Sequence, residues 1–231
     1  MEKTQLFFIH FAGGNTYSFR FMYSFLKEFD IISLELPGRG KRINEKLISD
    51  FDAAALDVYD QLRFKRNKSN YIIFGHSMGA SLALRVAGLM EQKQDAPQSI
   101  FVSGNPGPGV QDSRNRYLMN HEDFVNELKK LGGVSDELLN NQELFDFFEP
   151  ILRADFEIAE RNELAEDQPI ATPIYAMMGS DEGRIDEITD WSRYTRSDFD
   201  YEIIEGDHFF INNHAAKIAN IIKTRYDHVT L

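Results

Sequence analysis

Short apolar runs alternate along the chain with longer stretches in which apolar positions recur at helical spacing. Residues 6–9, 31–36, 71–74, 99–102, 173–177 and 199–204 read as strands. A run with no polar residue, as in Leu6-Phe7-Phe8-Ile9, is the pattern of a strand covered on both faces. Residues 19–26, 51–62, 77–90 and 210–222 read as helices, the first behind the cap residues Asn15 and Thr16. Strand and helix in alternation predict an α/β architecture, with a mostly parallel central sheet and helices on both of its faces. No internal repeat or linker marks a second domain, so residues 1–231 are expected to form one.

One interval breaks the alternation. Gly104-Asn105-Pro106-Gly107-Pro108-Gly109 allows neither helix nor strand, and helix-like segments follow at 121–131 and 136–160. An insertion of this length at the carboxyl ends of parallel strands lies over the place where ligands bind. We expect a helical lid at about 105–167, the alternative being an insertion with no bearing on a site.

Composition narrows the classes. Lys and Arg number 25 against 37 Asp and Glu, a net charge of −12, so the chain has no electrostatic footprint for nucleic acid or an anionic membrane. It contains no cysteine, which removes disulfides, thiolate metal sites and cysteine nucleophiles. The first apolar run is short and broken by His10, unlike a signal peptide or a membrane span. We expect a cytoplasmic, monomeric protein.

The most informative residues are Gly75-His76-Ser77-Met78-Gly79, a Gly-x-Ser-x-Gly pattern with a strand before it and a helix after. A turn straight from strand into helix strains Ser77 and exposes its Oγ, and the helix dipole favours negative charge there. The α/β-hydrolase fold uses such an elbow, with serine, acid and histidine in that chain order. A serine hydroxyl needs a base. Of the histidines, His208 lies on a Gly-containing turn just after the last expected strand, at the same sheet edge as Ser77. As base it must be neutral, so the rate should rise with pH through its titration. Asp181, at the end of strand 173–177, is the first choice for the acid that orients it, with Glu182 and Asp186 as alternatives.

An oxyanion hole needs two backbone donors. The amide of Met78 is one candidate, and Ala12 or Phe11 in Phe11-Ala12-Gly13-Gly14 is the other. Phe145, Phe147, Phe148, Leu152 and Phe156 in the lid could line an acyl slot or pack lid against core. Gly38-Arg39-Gly40-Lys41 hints at a phosphate loop, but the spacing fails and Arg42 stands where Ser or Thr is required. No metal-ligand spacing is present, and no cofactor is expected.

Together these motifs resemble the stand-alone type II thioesterases that accompany non-ribosomal peptide and polyketide synthases. Phe11-Ala12-Gly13-Gly14, Leu36-Pro37-Gly38-Arg39-Gly40 with Arg42, the Ser77 elbow, Leu131-Gly132-Gly133, Leu152-Arg153-Ala154-Asp155-Phe156, Trp191 and Gly206-Asp207-His208-Phe209-Phe210 carry the resemblance. Three positions depart from the family pattern. Phe11 stands where a histidine usually precedes the alanine, and Asp207 stands where a glycine usually precedes the histidine. Only Ser180 separates Gly179 from Asp181, where two residues are usual.

The resemblance implies hydrolysis of acyl thioesters on the phosphopantetheine arm of acyl or peptidyl carrier proteins, clearing stalled or wrongly primed chains. Ser77, Asp181 and His208 would form the triad, Ala12 and Met78 the oxyanion hole. Phe11, Arg39, Phe145, Phe148, Leu152 and Phe156 would contact substrate. Arg39 and Arg42 would meet the acidic carrier or the phosphate of its arm. A carboxylesterase or lipase, a chain-terminating fatty-acyl thioesterase and a non-catalytic binder are the competing readings.

Overall fold

The computed structural model describes residues 2–110 and 114–229. Six strands form one all-parallel sheet: β1 (Gln5–Ile9), β2 (Asp30–Leu34), β3 (Tyr71–His76), β4 (Ile100–Ser103), β5 (Ile174–Gly179) and β6 (Phe199–Ile204), in the spatial order β2-β1-β3-β4-β5-β6. Each pair is in continuous register, Ile9 beside both Leu34 and Gly75, and Ser103 beside His76 and Met177. The carboxyl ends of β1, β3, β4 and β5 therefore finish in one row, where the site is built.

Period-two alternation splits the apolar runs between two cores. Phe7, Ile9, Tyr71 and Ile73 pack under α1 (Phe51–Lys65) and α2 (Met78–Gln92). Leu6, Phe8, Ile72 and Phe74 pack on the opposite face against α6 (Ala215–Val229), through Ile218 and Ile222. Residues of β1, β3, β4 and β5 are buried throughout, as strands covered on both faces must be.

The expected elements are present with three differences. Residues 19–26 form a 3-10 run, Arg20–Phe25, instead of an α-helix, with Met22 N–H donating to the Phe19 carbonyl; Phe19 stacks on Phe8 at 4.8 Å. The closing helix begins as a separate 3-10 turn, Phe210–Asn212, before α6. The stretch 136–160 is two helices, α4 (Asp136–Asn140) and α5 (Gln142–Glu160), because Asn141 leaves helical geometry and caps α5 by accepting from Leu144 N–H at 3.1 Å.

The insertion between β4 and β5 is helical, with α3 (His121–Leu131), α4 and α5 enclosing a core of their own from Phe124, Leu128, Phe145, Leu152 and Phe156. Residues 111–113, inside the interval assigned to the lid, lie outside the described residues. No helix among the described residues is long and apolar enough to cross a membrane.

Candidate active site

Ser77 joins β3 to α2 without an intervening loop and has φ 55° and ψ −116°, a conformation L residues rarely adopt. Its amide donates to the Ser103 carbonyl at 2.7 Å, and the surrounding sheet holds the strain. The flanking glycines are sterically required. A Cβ at Gly75 would lie 2.0 Å from the Gly79 carbonyl oxygen, and one at Gly79 would lie 2.2 Å from that of Ile9. Met78 opens α2, so its amide is one of the first-turn donors with no partner inside the helix.

His208 follows β6 and receives its partner from the loop after β5. The Glu182 carboxylate accepts from His208 Nδ1 at 2.7 Å through Oε2, and from Gly179 N–H at 2.8 Å through Oε1. A carboxylate only accepts, so Nδ1 carries the proton and Nε2 is the basic nitrogen of the neutral ring. This corrects the choice of Asp181 as the orienting acid. Asp181 accepts from the Ser180 hydroxyl at 2.9 Å, its amide is tied to the Gly206 carbonyl, and Glu182 is the residue that meets the ring. Glu182 also restores the usual family spacing, with two residues between Gly179 and the acid.

His76 is fully buried beside His208, with ring centroids 5.0 Å apart, and its Nδ1 meets Ser103 Oγ at 3.0 Å. Burial foremost, and then the neighbouring His208, holds it well below the ordinary histidine range. His76 is therefore neutral at physiological pH, and its ring adds no positive charge against protonation of His208.

Ser77, Met78, Ala12, Glu182 and His208 open on a single cavity of about 460 Å³. Phe11, Leu152 and Phe156, expected at the substrate, line it, with Leu128, Leu131 and Val134 from the lid and Phe209 from the histidine turn. Three other expectations, Phe145, Phe148 and Arg39 at the substrate, are corrected. Phe145 is 1% exposed and packs inside the lid core, while Phe148 packs on the outside of that core; neither lines the cavity. Arg39 is buried and paired with Asp155, away from the cavity wall. Arg42 is held by Asp57 and Glu45. Helical spacing in α5 does not distinguish its lid-core face from its cavity face, which is why Phe145 and Phe148 were expected at the substrate beside Leu152 and Phe156.

Sequence reading missed Asn105. Its Nδ2 donates to the Ser77 carbonyl at 3.3 Å and to Ser81 Oγ at 3.1 Å, and its own carbonyl accepts from Trp191 Nε1 at 2.8 Å. The available signal was its position directly after β4, at the carboxyl edge of the sheet. Also missed were Arg116 and Glu160, a buried ion pair whose side chains close one side of the cavity. Among the described residues, no cluster of His, Asp and Glu could hold a metal ion.

A family model described as "Thioesterase domain" matches residues 4–226. Gramicidin S biosynthesis protein GrsT of Aneurinibacillus migulanus is 30% identical over 214 residues, 90% of this chain and 83% of that protein. Thioesterase PikA5 of Streptomyces venezuelae is 27% identical, over 92% of this chain and 77% of its own length. Among solved structures, YbtT, a type II thioesterase from the yersiniabactin pathway, superposes with a TM-score of 0.89 at 28% identity, covering 99% of this chain and 94% of YbtT. Sheet, elbow, cavity and relatives agree: the chain belongs to the thioesterase family, enzymes that hydrolyse thioesters, and resembles the type II members of peptide and polyketide biosynthesis along almost its whole length.

Proposed function

We propose that this thioesterase removes aberrant or stalled acyl groups from the phosphopantetheine arm of acyl or peptidyl carrier proteins, as a cytoplasmic monomer, through a Ser77-His208-Glu182 triad. The observation that carries the reading is the 2.7 Å contact of Glu182 with His208 Nδ1, in a cavity that also holds the strained Ser77. Ser77 Oγ attacks the thioester carbonyl carbon as its proton passes to His208 Nε2. The amides of Met78 and Ala12 receive the oxyanion. The C–S bond then breaks, the arm's sulfur takes the proton from His208, and an acyl ester remains on Ser77. Water attacks that ester with His208 again as base, the Ser77 oxygen leaves and is reprotonated, and the free acid departs. Glu182 keeps Nδ1 protonated throughout and stabilises the imidazolium. Phe11, Leu152 and Phe156 offer the acyl chain an apolar wall.

The test incubates the protein and Ser77→Ala with acyl-phosphopantetheinyl carrier proteins, read by intact mass, beside p-nitrophenyl esters of matching chain length. Loss of the acyl mass at rates well above ester cleavage, absent in Ser77→Ala, is the expected result. Faster ester cleavage with untouched carriers would make the chain an esterase on this fold. No turnover of either would overturn the catalytic reading.

A further inference from the structure

The loop that carries Ala12 is a tight turn, and four of its backbone groups, the Phe11 and Gly14 carbonyls and the Gly13 and Gly14 amides, are held by hydrogen bonds. The peptide plane that bears the Ala12 N–H begins at the Phe11 carbonyl. That oxygen accepts from Gly14 N–H at 2.9 Å and from His10 Nδ1 at 2.8 Å. Because a peptide is planar and its N–H is anti to its C=O, pinning the oxygen fixes the direction of the N–H. The next plane is held at its other end, where Gly13 N–H donates to Asp155 Oδ2 at 2.7 Å. The Gly14 carbonyl accepts from Arg39 Nη1 at 3.3 Å. Gly13 has φ +77°, and a Cβ there would lie 2.6 Å from Leu152 Cδ2, so the loop is seated directly on α5.

The three side chains behind the loop form one buried unit. Arg39 meets Asp155 with both nitrogens of its fork, Nη2 to Oδ1 at 2.7 Å, and Asp155 is wholly buried. The partners of His10 assign its tautomer. Nδ1 faces a carbonyl and must donate, while Nε2 faces the Leu36 N–H at 3.3 Å and must accept. Burial foremost, and then the Arg39 charge, lowers the His10 pKa to about 4, which keeps that single tautomer at neutral pH.

We propose that His10 and the Arg39–Asp155 pair are positioning residues for the oxyanion hole: they hold the Phe11–Ala12 and Ala12–Gly13 peptide planes so that the Ala12 N–H faces the cavity before substrate arrives. The inference rests on the catalytic reading above and adds three residues that touch no substrate. It also gives Arg39 a role different from contact with a carrier protein.

The test compares His10→Leu, His10→Asn and the double variant Arg39→Met/Asp155→Leu with the wild-type chain. Asparagine Nδ2 can replace the donor at Nδ1, whereas leucine cannot. The double variant removes both charges together, which avoids leaving one buried and unpaired. Thermal unfolding and fluorophosphonate labelling of Ser77 establish that each variant is folded with a reactive serine. Expected are a fall in kcat of roughly 10- to 1000-fold for His10→Leu and the double variant with KM within about threefold, matched by weaker binding of a trifluoromethyl ketone analogue, and recovery of most activity in His10→Asn. Folded, labelled variants with wild-type kcat and ketone affinity would overturn the proposal, as would a loss in KM alone or a His10→Asn variant no better than His10→Leu. A wild-type chain that turns over no ester or thioester would instead overturn the catalytic reading on which the proposal rests.

Discussion

Glu182 bridges two loops of different origin: one carboxylate oxygen is tied to Gly179 N–H at the end of β5, and the other to His208 Nδ1 after β6. The β5–β6 register, with Gly179 beside Ile204, brings these loops together. The extra methylene of glutamate lets a residue three positions beyond Gly179 fold back onto that amide while still reaching the ring.

Glu182→Gln therefore lowers kcat by about 10²- to 10⁴-fold, since the amide can favour the wrong tautomer of His208. Glu182→Asp falls between, because the shorter arm draws the carboxylate back from Nδ1. Asp181→Asn stays within about threefold of wild type. Steady-state kinetics on one acyl-carrier substrate ranks the three, and an Asp181→Asn loss as large as that of Glu182→Gln would return the role to Asp181.

Stability falls as the solution is acidified from neutral pH. His10 titrates near 4 in the folded chain, lowered by burial and Arg39, and His76 lies well below the ordinary range through burial and His208. Both titrate near 6.5 when unfolded, so the unfolded chain binds more protons between those values and is favoured there. The sign is fixed: this contribution is complete above about pH 6.5 and is lost on the way down. For His10 alone it is on the order of 3 kcal/mol. Urea unfolding at pH 7.5, 6.0 and 5.0 should show the decline, with a shallower slope in His10→Asn. A flat profile would show that neither ring is held neutral.

Gly79→Ala destabilises by about 1–3 kcal/mol or more, because the added methyl must displace the Ile9 carbonyl in the sheet. Gly88, on the same helix, is the control. A methyl there meets only Ile170 Cγ2 at 3.5 Å, an ordinary contact, and Gly88→Ala should gain about 0.5–1 kcal/mol from helix propensity. Thermal midpoints that moved in the same direction for both would contradict the packing of the elbow.

Phe145→Ala costs about 3–5 kcal/mol, borne by the lid core, without altering the acyl-chain preference. Leu152→Phe, which adds bulk to the cavity wall, shifts preference to shorter chains. Hydrogen exchange in α3 and α5, set beside rates for a series of acyl lengths, separates the two effects. A changed length profile in Phe145→Ala would put that ring at the substrate.

The parts of the molecule legible in the sequence were those fixed by local geometry. Short runs rich in apolar residues pointed to all six strands, and the Gly75–Gly79 elbow and the turn bearing His208 were placed because their steric demands are written in adjacent residues. The acid was not, since Asp181 and Glu182 are neighbours with the same charge. Only the turn after β5 decides which one faces the ring. Arg39 and Phe145 were misjudged for a related reason. Arg39 meets a residue 116 positions away, and Phe145 sits on a helix with two apolar faces, so each role depends on a partner the local pattern does not show.

Helix α5 supplies Leu152 and Phe156 to the cavity wall and Asp155 to the loop beneath it. A change that moves this helix to admit a different acyl group also moves the backbone that must meet the transition state. Leu128, Leu131 and Val134 line the wall from α3 and the segment after it, which make no hydrogen bond to that loop among the described residues. The cavity can thus be reshaped through α3 and the segment after it with the hydrogen bonds of the oxyanion loop left in place, while a change in α5 bears on both.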